Sequence, residues 1–449
     1  MAQDINLRDG SRRYIYPLWV KGRFQSLRKV TFLVLNLFFF VMPWLRADGQ
    51  QLVLADLPGR KLHIFGSIFG PQDTILVVLT LLFAAFLLFL VTSLYGRIWC
   101  GYACPHTVFL ESFVHNVERW IEGNRGQRMA LDRQPWDANK ILKKGAKWAA
   151  FLAITTAVSM TFVSWFVDAP TLWTLNAGSG AYGMVGFLSF VGFLDMAWFR
   201  EQFCNYLCPY ARFQGVLAGP QSWTVGYDKG RGEPRKERGR KQAPDDLGDC
   251  IGCNKCVSVC PTGIDIRDGY QLECIGCAKC IDACEPIMGK YGKENLVRYS
   301  TVALDLGLET RRFPVRPVAY GTLLAVIATA FIVLVSQHTV LDVDIRRADG
   351  SLYTVDADGA TRNTFLMSLQ NRDSAPVELH VEVRGLEGAE VIVPPIHLES
   401  GATARVPVVV RMPAGAELGR TVPFEVVVSG SSEPLVRDAT FKTGAQTGG

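Results

Sequence analysis

The sequence predicts a multi-domain membrane protein: about five transmembrane α-helices, a cytoplasmic two-cluster ferredoxin-like α+β insert, and a C-terminal all-β immunoglobulin-like sandwich. Three observations predict it. Five apolar stretches approach the length that crosses a bilayer. The cysteines, 12 in all, fall in short spacings suited to metal ligation. Beyond the fifth apolar stretch, Val-rich runs alternate in part with polar residues. A chain of 449 residues that is 49% hydrophobic and 20% charged agrees with membrane spans joined to sizeable soluble parts. Its formal charge of +5 is mild, and no nucleic-acid partner is expected.

The apolar stretches run Val30–Leu45, Ile75–Leu94, Trp148–Val167, Tyr182–Phe199 and Val318–Val335. The hydrocarbon core takes about 20 apolar residues to cross. The first stretch is short and contains Pro43, but Lys29 and Arg46 can snorkel from its ends. It lacks a small-residue cleavage site and reads as an uncleaved anchor.

Basic residues beside the spans predict the orientation. The N-terminal tail carries Arg8, Arg12, Arg13, Lys21, Arg23, Arg28 and Lys29. The segment after the second span carries Arg97, Arg119, Arg125, Arg128, Arg133, Lys140, Lys143 and Lys144, whereas the 168–181 connection has neither Lys nor Arg. The N-terminus, the 95–147 loop and the 200–317 region are therefore expected in the cytoplasm, with the C-terminal region outside.

The expected organisation is a cytoplasmic tail over 1–29, a four-helix membrane domain over 30–226 and a basic linker over 227–248. A ferredoxin-like domain follows over 249–299, then a connector with the fifth helix over 300–336 and the sandwich over 337–449. Strands are expected at Glu378–Arg384, Glu390–Val393, Ala404–Met412 and Thr421–Ser429, separated by Gly, Pro, Ser and Asp. This last region has no Cys and no clustered His, so protein contact or structural support is its expected use.

Between Cys250 and Cys284 the chain reads CIGCNKCVSVCP, then TGIDIRDGYQLE, then CIGCAKCIDACEP. Each half has the C-x2-C-x2-C-x3-C spacing of two-cluster bacterial ferredoxins, in which the fourth cysteine of one run serves the other cluster. The expected sets are Cys250, Cys253, Cys256 and Cys284 for one [4Fe–4S] cluster, and Cys274, Cys277, Cys280 and Cys260 for the other. Zinc is the alternative, but structural zinc sites draw on well-separated CxxC pairs. Cys284 is followed by Glu285 where Cys260 is followed by Pro261, which leaves the ligands in place.

The other four cysteines form a repeated motif. Cys100-Gly101-Tyr102-Ala103-Cys104-Pro105 follows the second span and Cys204-Asn205-Tyr206-Leu207-Cys208-Pro209 follows the fourth. Proline fits the first position of a helix, so Cys104 and Cys208 are expected at helix N-termini, where the dipole favours thiolate. The stretch after Pro105 reads as a short amphipathic helix along the interface. Cys100, Cys104, Cys204 and Cys208 are candidates to bind a soft metal such as Cu(I), to hold another cluster, or to cycle through disulfides. Two structural pairs that merely pack are the plain alternative. His106 and His115 can add imidazole, although exposure at the interface is their expected state. Asp195, near the cytoplasmic end of the fourth span, is a functional candidate as an intramembrane acid, with simple reach to headgroup water as the alternative. Met160, Met184 and Met196 are expected in ordinary apolar packing. No catalytic residue is singled out.

The order of Tyr14–Arg28 (YIYPLWVKGRFQSLR), CGYACP, Arg200–Gln214 (REQFCNYLCPYARFQ) and the Asp249–Cys284 segment resembles the cytochrome c oxidase accessory family CcoG, also called FixG or RdxA. The resemblance covers nearly the whole chain. It implies a multi-pass protein of the bacterial inner membrane, needed with other assembly factors for cbb3-type cytochrome oxidase and reducing Cu(II) to Cu(I). It also implicates the CxxxCP cysteines in handling copper. The quinol-dehydrogenase subunit NapH is similar in its motifs but lacks the long C-terminal domain. A quinol-oxidising subunit of that kind and a non-enzymatic assembly scaffold or copper carrier are the alternative functions. The electron donor stays open, as does a homo-oligomeric state.

Overall fold

The computed structural model describes residues 14–47, 49–70, 73–236, 247–305, 307–308, 314–336, 341–371, 375–415, 419–430 and 434–443. Arg8, Arg12 and Arg13 of the basic tail and residues 237–246 of the expected linker lie outside the described residues. The chain divides into two compact units. One comprises Met1–Trp44 and Leu76–Ile332, the other Leu45–Ile75 and Val333–Gly449.

In the first unit, helices Arg23–Val41, Thr74–Tyr95, Ala138–Val163, Ser179–Leu194 and Val315–Ser336 carry the apolar stretches. A 3-10 turn extends the first to Trp44, and a π-turn extends the fourth to Phe199. All five are long and apolar enough to cross a membrane. Their outward faces stay apolar, with Leu33 60%, Leu81 66% and Phe187 62% exposed. Such faces suit lipid, where intrahelical bonding satisfies the backbone. The first helix starts at Arg23, well before the expected Val30, because its polar first turns are buried at Gln25 and Arg28.

The segment after Pro105 is one helical run, Pro105–Phe109, Leu110–Val114 as a π-turn, and His115–Ile121. Leu110, Val114 and Val117 pack with Phe151 of the third span and Met196 of the fourth.

The cysteine-rich segment sits between two antiparallel strands, Trp223–Tyr227 and Val297–Thr301, with Val225 opposite Tyr299. Two helices, Lys255–Ser258 and Lys279–Lys290, complete an α+β insert. The stretch expected as a linker over 227–248 therefore opens as structure: Tyr227 closes the first strand and Lys229–Gly232 forms a helical turn. Pairing with Val297–Thr301, some 70 residues away, supplies the backbone bonds that a local reading of a basic, Gly-rich run does not reveal.

The second unit is an antiparallel sandwich. One sheet holds Glu390–Ile392, Thr403–Met412, Thr361–Asn371 and Leu341–Arg347 in that order, with Thr354–Val355 beside Thr361. The other holds Ile396–Leu398, Val377–Arg384, Thr421–Ser429 and Leu435–Lys442. Alternate residues turn inward, among them Phe365, Met367 and Leu369 from one sheet and Phe424, Val426 and Val428 from the other. Phe365 and Phe424 meet edge to face at 5.5 Å. The 45–75 segment contributes a three-stranded sheet of Val53–Asp56, Lys61–Ile64 and Ser67–Phe69. Its Ile68 is buried against the backbone of Gly401 in the sandwich.

Candidate iron–sulfur and thiol site

The two halves of the ferredoxin segment fold the same way. Gly252 and Asn254 have φ of 66° and 57°, and Gly276 and Ala278 have φ of 64° and 58°. These left-handed residues wrap each C-I-G-C-x-x-C loop tightly, glycine at no steric cost and Asn or Ala at some. Each loop closes on a small apolar cavity. Cys250, Cys253, Cys256 and Cys284 line one, with Ile251, Ile287, Met288 and Leu296. Cys260, Cys274, Cys277 and Cys280 line the other, with Val225, Ile264, Ile266 and Ile275. Cys256 touches both. These are the two sets expected from the exchange of fourth cysteines. Burial pushes the Cys256 and Cys274 thiols up to about 12, so they hold protons until a metal displaces them. Four thiols around an apolar hollow fit a cubane cluster. Among the described residues no three His, Cys, Asp or Glu side chains converge tightly enough for a single metal ion, and this includes the CxYxCP cysteines.

The CxYxCP copies begin alike. Cys104 and Cys208 are extended residues just before helices Pro105–Phe109 and Pro209–Leu217, each with proline first. In the first copy, Cys100 is buried with Ile275 and Cys277. Burial pushes its thiol up to about 11, and its Sγ lies 3.2 Å from Gln214 Oε1, which also accepts from Arg97 Nε at 2.9 Å. A Cβ on Gly101 would stand 2.6 Å from Ile275 O and 3.0 Å from Cys277 Cα, so only glycine lets the motif meet the cluster loop. Tyr102 stands beside Tyr299, whose hydroxyl donates to Gly276 O at 3.1 Å.

The second copy faces elsewhere. Cys204 Sγ lies 3.4 Å from His106 Nδ1, and His106 Nε2 lies 3.1 Å from Asp195 Oδ2. The imidazole stacks on Phe203 at 5.1 Å. Burial opposes its charge, but Asp195 and Cys204 carry its pKa well above the ordinary value. His115 Nε2 lies 3.0 Å from Glu201 Oε1. Both histidines were expected at an exposed interface, and headgroup water was the alternative for Asp195. Instead the side chains of His106 and His115 are only 14% and 13% exposed and are tied to carboxylates. Met196 is buried, Met160 packs beside Val163 and Leu172, and Met184 is exposed on its span.

Charges fasten the insert to the spans. Arg28 pairs with Glu111 at 2.6 Å and donates to Gly101 O, while Lys279 of the second cluster loop reaches Glu111 at 2.8 Å. Although burial opposes it, Arg28 and Lys279 hold the Glu111 carboxyl well below its usual range. Glu118 gathers Arg200 and Arg128, each at 2.5 Å. Asp282 accepts from Phe24 N at 3.2 Å and Gln25 N at 2.7 Å, capping the first span. Sequence reasoning gave no place in the site to Arg28, Arg200, Gln214 or Asp282. Three of them stand at the ends of the segments that carry the family resemblance.

A family model described as a 4Fe-4S dicluster domain matches residues 199–302. A 4Fe-4S binding domain matches 77–126, over the first CxYxCP copy. The IG-like fold at the C-terminal of FixG matches 331–443. The nitrogen fixation protein FixG of Rhizobium meliloti is 34% identical, over 93% of this chain and 86% of its own. The chain belongs to the FixG/RdxA family. Protein RdxB of Cereibacter sphaeroides is 37% identical over 83% of this chain and 82% of its own, and RdxA of the same organism 35% over 84% and 83%. A crystal structure of a FixG-related protein from Vibrio parahaemolyticus aligns with 24% of this chain and 98% of its own at 15% identity and a TM-score of 0.22. This FixG/RdxA protein is thus a membrane protein that transfers electrons through two iron–sulfur clusters.

Proposed function

We propose that this FixG/RdxA protein is a cupric reductase, passing electrons to Cu(II) at the CxYxCP thiols. The observation that carries the reading is the contact of the first copy with the second cluster loop, where Cys100 and Gly101 pack on Ile275 and Cys277. Cys250, Cys253, Cys256 and Cys284 would hold one cluster, and Cys260, Cys274, Cys277 and Cys280 the other. The bound clusters supply one-electron transfer. Cys104, Cys204 and Cys208 offer soft sulfur, which prefers Cu(I) to Cu(II) and so draws the reduction forward. Cu(I) is content with two thiolates, so no three-ligand site is required. His106, paired with Asp195, lies beside the Cys204 sulfur and can stabilise it as a thiolate.

In this reading the clusters lie on the cytoplasmic side of a bacterial inner membrane, and the Cu(I) serves assembly of cbb3-type oxidase with its assembly factors. The basic residues beside the spans support that orientation. Further support comes from residues 45–75 and the sandwich, which share one compact unit although four spans separate them, as an even number of crossings requires.

The test is Cu(II) reduction by purified, cluster-loaded protein with dithionite and a Cu(I) chelator. A Cys104→Ser/Cys208→Ser variant with full iron should lose most of the rate. Full rate at full iron content would falsify the copper role.

A further inference from the structure

A cavity of about 570 Å³ opens between the first span and the Pro105–Ile121 helix, within the size range of small-ligand sites. Its walls are apolar at Phe32, Leu33 and Phe113. Two polar side chains point to a ligand. Asn36 lies inside the span, where polar groups are rare and functional by default. Its amide nitrogen donates to Phe32 O and Ser112 Oγ, while its buried Oδ1 has no hydrogen-bond partner among the described residues. His115 lines the same cavity one helical turn from Ser112, backed by Glu201. At the far end stands Lys279, the neighbour of Cys280 in the second cluster loop.

We propose that this cavity binds the head group of a membrane quinol, which serves as the protein's electron donor. An amphipathic ligand drawn from the bilayer suits apolar walls that end in an acceptor amide and an imidazole. A neutral head group suits it better than a phosphate, because the basic residues on the rim are engaged. Lys29 and Arg119 stand over the Trp19 ring at 4.6 and 4.7 Å, and Arg125 donates to Tyr16 O at 2.8 Å. Arg128 pairs with Glu118, and Lys279 with Glu111.

The chemistry balances. Asn36 Oδ1 accepts one quinol O–H and the His115 imidazole the other. Two O–H bonds break and two C=O bonds form as quinol becomes quinone. The protons leave in turn through His115 to water, and the two electrons would be taken singly by the [4Fe–4S] clusters that the two cysteine sets would hold, each a one-electron oxidant. This donor deepens the copper reading and rests on it for the electrons' destination.

The experiment titrates decylubiquinone into cluster-loaded protein in nanodiscs of neutral phospholipid, reading tryptophan quenching, since Trp19 lines the cavity. Anaerobic bleaching of cluster absorbance by decylubiquinol is read in parallel. Saturable quenching is expected, at least tenfold weaker in Asn36→Leu and in the cavity-filling Leu33→Trp when compared at equal iron content. Unaltered binding in both variants overturns the site. So does quenching that phosphatidylglycerol abolishes and added quinone does not restore, which marks a phospholipid pocket. Wild-type protein that reduces Cu(II) with dithionite but does not bind decylubiquinone overturns the quinol site and leaves the copper reading standing. Protein that binds decylubiquinone and is bleached by its quinol, yet reduces no Cu(II), keeps the site and removes the copper reading.

Discussion

The two CxYxCP copies share cysteine, tyrosine and proline at the same spacing, yet the fold uses them differently. The first is pressed onto the second cluster loop, with Cys100 buried, Gly101 in backbone contact and Tyr102 half-buried. The second is the more exposed copy. Its Tyr206 is 52% exposed, and its Cys204 answers to His106 and Asp195. The residues that differ explain why. Position two is Gly101 in the first copy, where a Cβ has no room, and Asn205 in the second. A repeated motif therefore does not imply repeated duty: the first copy, with Cys100 buried, serves as a joint to the clusters, and the second keeps both thiols partly exposed.

The sharpest way to break this comparison is a side chain at the joint. Gly101→Val should prise the second cluster loop from its seat and lower iron from about eight to about four atoms per chain. Asn205→Val should leave iron unchanged. Full iron in Gly101→Val would show that the contact is incidental. Next in size, Arg200→Leu leaves Glu118 with less compensation for its buried charge and should cost about 3–5 kcal/mol in denaturant unfolding. A loss under 1 kcal/mol would mean that Arg128 suffices to hold Glu118.

The second copy should also be sensitive to acid. Glu201 is wholly buried, which opposes its charge, but Arg200 and His115 lower its pKa from 4.5 to about 2. A carboxyl lowered on folding stabilises the protein above its unfolded value, and that stability is lost as pH falls through the folded one. The melting-temperature gap between wild type and Glu201→Gln should thus be full above pH 4.5 and shrink towards about pH 2. A gap that does not change with pH would assign Glu201 a packing role only. The smallest difference should come from the tyrosines. Tyr102→Phe removes a hydroxyl from a half-buried position, for about 1 kcal/mol, whereas Tyr206→Phe at an exposed position should stay within about 0.5 kcal/mol. Equal losses would erase the distinction between the copies.

Much of this was legible in sequence because local spacing carried it. The cysteine runs separate into the two cavity-lining sets, and Thr421–Ser429 forms the strand its alternation predicts. Thr361–Asn371 escaped notice although it is the longest strand among the described residues. Asn363, Gln370 and Asn371 turn inward and break the apolar alternation, Asn363 and Asn371 satisfied by the carbonyls of Lys442 and Ala375. The site's polar partners escaped for a different reason. Cys204 and His106 are 98 residues apart, and Gln25 and Asp282 are 257 apart, so no local window joins them. A buried charge such as Glu118 reads in sequence like any solvated one, because only the fold supplies its guanidinium partners.

The cap that Asp282 places on the first span has a consequence for biosynthesis. The first helix enters the membrane at the start of translation, but its closing partner emerges 257 residues later. At roughly 5–20 residues per second, the N-terminal turn waits roughly 10–50 s for its carboxylate. That carboxylate rides on the helix holding Cys280 and Cys284, so a nascent chain starved of iron would keep a frayed leading end. A quality-control protease could read cofactor insertion there, at the opposite end of the polypeptide from where the ribosome is working.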